Sequence, residues 1–409
     1  MKIGKIFWTF LAAILISPFF ISCEKDGDVA GLEVNGQKDI PYGIFSSVPI
    51  EGQYIVEFTK DFGESFTDQS VDVKQGEIEL KNRVIKDFPK LNFEKAEIYH
   101  TYGSSIKGFA GKLTDKQYEI LKSDKRIKHI EQDHMIILAK PDKPGKPGNG
   151  GGEDEGQVVP WGIDRVGSSA DGTGKRAWII DSGIDMNHPD LIVDQNLSIS
   201  FLSGGPSSTS PDDQNGHGTH VAGTIAAKNN SIGVVGVAAG ATVVAVRVLD
   251  RKGSGTWSGV IAGINYVGAN GVAGEVANMS LGGGVSVSVD NAVIAASTNV
   301  KFSIAAGNSS TNANNASPAR VNGTNIYTVS AMNSTDNWAS FSNYGNPPID
   351  YCAPGVGINS TWKNGGYNSI SGTSMAAPHV AGILLLGSIT TNGYVIGDPD
   401  ANADPIAHN

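Results

Sequence analysis

The stretch KPDKPGKPGNGGGEDEG at 140–156 constrains the fold most, because it has almost nothing to bury and cannot be a helix or strand. It splits the chain into regions of different character. From Glu51 to Ala139, 30 of 89 residues are charged, whereas from Gln157 to Asn409 only 26 of 253 are. The expectation is two folded regions, 51–139 and 157–388, joined by a flexible, cleavable strap at 140–156. The smaller region alternates short apolar runs with charged amphipathic ones. GQYIVEF, IYHTYG and IKGFAGKL read as strands, and VKQGEIELKNRVIKDF reads as a helix. LTDKQYEILKSD reads as a second helix with Thr114 placed to cap it, and IKHIEQDHMIILA as an extended end. That β-α-β-β-α-β order predicts a ferredoxin-like α+β sandwich. The larger region alternates strands (AWIID, VVAVRVL, EVANMS, KFSIAA, NIYTVSA) with helices (HGTHVAGTIAA, TWSGVIAGINYVGAN, VDNAVIAAST, SMAAPHVAGILLLGS). It predicts an α/β fold, a parallel sheet with helices on both faces, whose ligands bind at the carboxyl ends of the strands. After Gly387 the chain reads as a polar tail, 389–409.

The ends and the charge narrow the setting. Residues 1–22 carry Lys2 and Lys5 before an apolar run, as an export signal does, and 23–50 read as an N-terminal linker. Phe20-Ile21-Ser22-Cys23 resembles a bacterial lipoprotein cleavage box, which implies lipidation of Cys23; an ordinary secretory signal with a chance cysteine is the other reading. An exported protein, anchored in the envelope or secreted after maturation, is expected. With Cys23 lipidated, Cys352 has no partner for an intramolecular disulfide. A formal charge of −10 argues against nucleic acid as a partner. Nothing points to more than a monomer.

Three segments put a reactive side chain at a strand end or helix start. Asp181 closes AWIID, His217 lies in the glycine-flanked NGHGTHVAG, and Ser374 lies in SGTSMAAPHVAG. Singly, an Asp at a strand end or a Ser at a helix start is an ordinary turn or cap. Together they supply nucleophile, base and orienting carboxylate.

DSGIDMNHPDL around Asp181, GHGTHVAGTIAA around His217 and GTSMAAPHVAG around Ser374 resemble the motifs of the subtilisin-like serine proteases, from about Gly156 to Gly387. The resemblance implies a seven-stranded-type parallel sheet and peptide-bond hydrolysis by Asp181, His217 and Ser374. It makes Asn308, in SIAAGNSS, the oxyanion donor, and gives His188, His220 and His379 structural roles. It implies that Gly253-Ser254-Gly255 and Ser280-Leu281-Gly282 wall the substrate cleft, with Trp257 beside them. Ala305, Ala306 and Gly307 would line an uncharged pocket for apolar residues. A structural Ca²⁺ site is implied at Gln157, Asp190, Asn230 and the carbonyls of Lys228, Ile232 and Val234. A weaker one is implied at Asp350, with the carbonyls of Thr324 and Ile326.

The region 51–139 resembles the family's inhibitor-type propeptide, in IKGFAGKL and IEQDHMIILA. The partners implied are polypeptide substrates and the chain's own propeptide, with first self-cleavage between 139 and 156. Relatives continue past the serine helix with further strand and helix, where a polar tail is expected here. A catalytically silent envelope binding protein on the same fold is the alternative. The lipase-type G-x-S-x-G elbow is absent at Ser374, where Ala376 replaces the last glycine.

Overall fold

The computed structural model describes residues 33–34, 37–38, 45–66, 73–94, 97–138, 156–203 and 206–409. The export segment, Cys23, Ala139 and nearly all of the strap lie outside them. Glu33–Val34 pairs antiparallel with Gln37–Lys38 within one unit, Met1–Lys38; Asp39–Asn409 forms the other. Among the described residues no helix is long and apolar enough to cross a membrane.

The smaller region runs β1 (Phe45–Phe58), α1 (Val73–Asp87), β2 (Ile98–Gly103), β3 (Lys107–Lys112), α2 (Asp115–Lys122) and β4 (Ile127–Leu138). Leu80 and Val84, one helical turn apart, drop from α1 onto Phe58 and Phe109 of the sheet. Thr114 caps α2 in a reciprocal box with Gln117, as its position predicts. The strands lie in the antiparallel order β4-β1-β3-β2, which is the ferredoxin-like arrangement. Residues 45–50, expected in a linker, belong instead to β1.

The larger region is built on β5 (Arg176–Asp181), α3 (His217–Ala226), β6 (Thr242–Arg247), β7 (Ser254–Thr256), α4 (Trp257–Asn270), β8 (Val276–Met279) and α5 (Val287–Ala296). It continues with β9 (Lys301–Ala305), β10 (Ile326–Met332), β11 (Ile349–Pro354), α6 (Thr373–Leu386), β12 (Thr390–Tyr394) and β13 (Pro405–His408). The sheet order is β6-β5-β8-β9-β10-β11-β13-β12, with short strands at Ile192–Val193 and Ile199–Ser200 edging β6. All pairs are parallel except β12 with β13. Helices cover both faces, so strand side chains are buried on both sides, and AWIID is a continuous apolar run for that reason. Ala177 and Ile179 pack under α3 and α6, beside Val221, Ile225, Val380 and Ile383. Trp178 and Ile180 face α4 and α5, beside Ile261, Ile264, Val289 and Val293.

The expectation of a polar tail at 389–409 is overturned. β13 inserts beside β11, with Cys352 opposite Ile406, and β12 folds back on it. Val395, Ile406 and Ala407 are buried, but the polar stretch between them hides that pattern in the sequence. The seven strands β6, β5, β8, β9, β10, β11 and β13 run parallel, as expected of a seven-stranded-type sheet; among the described residues β12 and the two short edge strands extend it to ten.

Candidate active site

Asp181 ends β5, where its backbone oxygen accepts from Val248 N and Leu249 N as the chain turns. His217 opens α3 behind Gly216, whose φ of 113° is in the left-handed region and whose missing Cβ leaves room for the Trp362 ring. The two side chains meet fully buried, with His217 Nδ1 at 2.8 and 2.9 Å from the Asp181 carboxylate oxygens. An ionised carboxylate only accepts, so Nδ1 carries the proton and Nε2 is the basic nitrogen.

Asp213 fixes this loop, and the sequence reading passed over it. Its carboxylate accepts from Asn215 N, Gly216 N, Thr219 N, Thr219 Oγ1 and Ser182 Oγ. Burial pushes its carboxyl above the usual range. The signal available was an Asp pair just ahead of a Gly-rich histidine loop, in DDQNGHGTH.

Ser374 is the second residue of α6. Its Oγ donates to the Ser280 carbonyl at 3.1 Å, and Ser280 Oγ donates back to the Ser374 carbonyl at 2.8 Å. Asn308 lies just beyond β9, and its Oδ1 accepts from Thr373 N at 2.8 Å and Thr373 Oγ1 at 2.9 Å. Those two donors fix the amide, so Nδ2 points away from Thr373. Gly307 N donates to Thr373 Oγ1, and Ala305 and Ala306 are fully buried beside it. The three other histidines of the catalytic motifs bond to backbone carbonyls: His188 to Gly366, His220 to Ile358 and His379 to Met375.

β4 of the smaller region lies along this site. It pairs antiparallel with β7, Met135 to Thr256, Ile136 to Gly255 and Ile137 to Ser254, and Leu138 N donates to Gly253 O. Ile136 and Leu138 are buried in one cluster with Trp257. Glu131 accepts from Ser286 Oγ, Val287 N and Ser288 N, and Asp133 from Ser258 N, so each occupies a helix N-terminus of the larger region. Ser280 and Leu281 are buried, but they form no ladder with β4, whose far edge pairs with Phe45–Val48.

The residues expected to bind calcium converge with one exception. Gln157 Nε2 donates to Lys228 O (2.7 Å), Val234 O (3.2 Å) and Asn230 Oδ1 (3.4 Å). Asp190 accepts from Asn230 Nδ2 and Val234 N. Ile232 joins only through its N–H, to Asn230 Oδ1. Three oxygens gathered on one donor are a cradle for a positive group, and an all-oxygen set suits a hard cation. Among the described residues no three His, Cys, Asp or Glu side chains cluster for a metal, so carbonyl and amide oxygens would have to dominate. Asp350 accepts from Thr328 N at 2.9 Å, and burial pushes its carboxyl up to about 6.

Residues 177–388 match the subtilase family of peptidases, and residues 53–139 match the peptidase inhibitor I9 family. The chain belongs to the subtilase family. Alkaline serine exoprotease A of Vibrio alginolyticus is 40% identical over 335 residues, covering 79% of this chain and 56% of its own length. The subtilisin-like serine protease AsES of Sarocladium strictum is 37% identical over 344 residues, with 76% and 82% covered. The extracellular serine proteinase of Thermus sp. (strain Rt41A) is 34% identical over 402 residues, with 94% and 90% covered. This subtilase is thus a serine peptidase carrying an inhibitor-type propeptide region.

Proposed function

We propose that this subtilase is a broad endopeptidase made as a self-inhibited precursor, with Asp181, His217 and Ser374 as its triad. The buried Asp181–His217 pair, at the same sheet end as Ser374, is the observation that carries this reading. For attack, Ser374 Oγ leaves the Ser280 carbonyl and gives its proton to His217 Nε2 as the C–O bond forms. Asp181 holds the tautomer and stabilises the imidazolium. The oxyanion takes donors from Asn308 Nδ2 and Ser374 N, after which the imidazolium returns the proton to the leaving amine. Water, deprotonated by the same histidine, then cleaves the acyl-enzyme. Gly253, Ser254 and Gly255, facing Ser280, Leu281 and Gly282, hold an extended peptide once β4 has left. Ala305, Ala306 and Gly307 leave an uncharged pocket that favours apolar residues before the scissile bond.

β4 is the inhibitor: it occupies β7 as a substrate strand would, and first self-cleavage falls within 139–156. Gln157, Asp190, Asn230 and the carbonyls of Lys228 and Val234 would hold a structural Ca²⁺, which supplies charge that lets these oxygens sit together; Ile232, which joins through its N–H, would steady Asn230. Asp350 is a weaker second candidate. Export through 1–22, with a lipid on Cys23 where the anchored form persists, completes the proposal.

Wild type and Ser374→Ala, expressed in parallel, test the triad by chain mass and casein hydrolysis. The variant is expected to stay at precursor mass, with turnover reduced by about 10⁶-fold. Equal processing and digestion by both proteins would sink the assignment.

A further inference from the structure

The inhibitor-family match begins at residue 53, yet β1 begins at Phe45. The two parts of this strand are distinct, because the register with β4 jumps between Pro49 and Tyr54. Upstream of the jump, Phe45 faces Leu138, Ser46 faces Ile137, Ser47 faces Ile136 and Val48 faces Met135. These are the residues of β4 that lie in the cleft. A strand has two hydrogen-bonding edges. Over Met135–Leu138 one edge is taken by β7 and the other by Phe45–Val48. The cleft wall at Ser280–Gly282, which pairs with a bound peptide in the reading above, has no edge left to bind.

The arm also touches the larger region directly. Ser47 Oγ accepts from Gly284 N at 3.0 Å. A Cβ on Gly284 would meet Ser47 Oγ at 2.7 Å, and one on Gly283 would meet Ser47 Cβ and Ile136 Cγ2 at 3.2 Å. Gly284 thus makes room for the arm itself, and Gly283 for Trp257 at 2.9 Å as well as for the arm and β4. Val48 is 54% exposed and Ser46 and Pro49 are exposed, so these three side chains bury little surface. The backbone ladder and the Ser47 hydroxyl both attach the arm.

We propose that Phe45–Pro49 is a second inhibitory strand, which clamps β4 in the cleft and covers the Gly283–Gly284 wall. It rests on the reading of β4 as inhibitor. Cutting the strap frees only the distal end of β4. The arm enters from the other end of the inhibitor region and keeps β4 sandwiched after that cut, so it lengthens the interval between processing and the onset of activity.

The test uses the full chain and measures the delay between the mass change at 139–156 and the appearance of activity on a small peptide substrate. Ser46→Pro is chosen because Leu138 N turns to Gly253, so Ile137 presents its polar groups to Ser46. Ser47→Ala removes only the acceptor for Gly284 N. Each is expected to shorten the delay by about three- to tenfold, the worth of one lost hydrogen bond, at unchanged yield of processed chain. Leu138→Asp, which strikes β4 itself, is the reference. If Leu138→Asp shortens the delay and neither arm variant does, the arm proposal falls alone. If none of the three does, the inhibitory reading of β4 falls with it. Should Ser46→Pro yield no processed chain, hydrogen exchange on the inert Ser374→Ala precursor decides. Slow exchange at Ser46 and Val48 supports the clamp, and exchange as fast as in open peptide overturns it.

Discussion

At the scale of single residues, burial separates the histidines of one active centre into different kinds. His217 gives Nδ1 to a carboxylate, whereas His379 gives it to the Met375 carbonyl within its own helix. With no anion at hand, burial holds His379 down at about 4 and His220 at about 3. An unfolded chain protonates such a histidine below about pH 6.5, which the folded one resists. Stability is therefore full above 6.5 and is lost as pH falls toward 4. Asp404, raised by burial to about 7, works oppositely, since the folded state takes its proton first. The net slope mixes both signs, so the variant must isolate one group. His379→Asn can keep the donor to Met375 and cannot titrate. Thermal unfolding of the inert precursor between pH 7 and 4 should fall less steeply with it, by at most about 1.4 kcal/mol per pH unit. Identical slopes would remove His379 from the acid response.

Among the elements, the loop after α3 depends most on what surrounds it. Lys228–Val234 forms no helix or strand, and Gly233 takes a φ of 56° with the Tyr367 ring where its Cβ would be. Tyr367 belongs to the hairpin Ile358–Trp362/Gly366–Ile370, and its hydroxyl bonds Asp190 at 3.4 Å. A cation there would tie Gln157, near the start of the larger region, to the loop and the hairpin. Chelation should lower the unfolding temperature by roughly 5–10 °C for a site filled at a hundred times its Kd, and added Ca²⁺ should restore it. A midpoint indifferent to chelator would end the calcium assignment.

For the whole molecule, one sheet carries the machinery and the last strands finish it. β13 covers the β11 edge, and the segment around it is pinned from several sides. Arg165 reaches Asn392 O and pairs with Asp336 at 2.7 Å, Trp338 N reaches Ile396 O, and Asn409 N reaches Val166 O. Deleting 389–409 re-exposes the partners of Val395 and Ile406. At about 1.5–3 kcal/mol per buried aliphatic side chain, the loss is roughly 3–6 kcal/mol. Urea unfolding of the Ser374→Ala chain, with and without those residues, should show it as a lower midpoint. Coincident curves would reduce these strands to decoration.

The sequence alone determined what repeats or is chemically singular. The 2- and 3.6-residue periods gave β1 through β10 and α1 through α6 to within a few residues, apart from the arm and the short β7. AWIID is legible because a strand buried on both faces must be apolar throughout. Asp181, His217, Ser374 and Asn308 stood out because reactive groups sat beside glycines in long motifs. Only the tertiary structure decided what depends on pairing partners far along the chain. Phe45–Val48 and Pro405–His408 are too short and polar to declare themselves, and become strands because β4 and β11 offer open edges. Asp213 is likewise ordinary until five donors close on it in a dry site. Local pattern encodes which face a segment buries; which edge it joins is settled only when the rest of the sheet has formed.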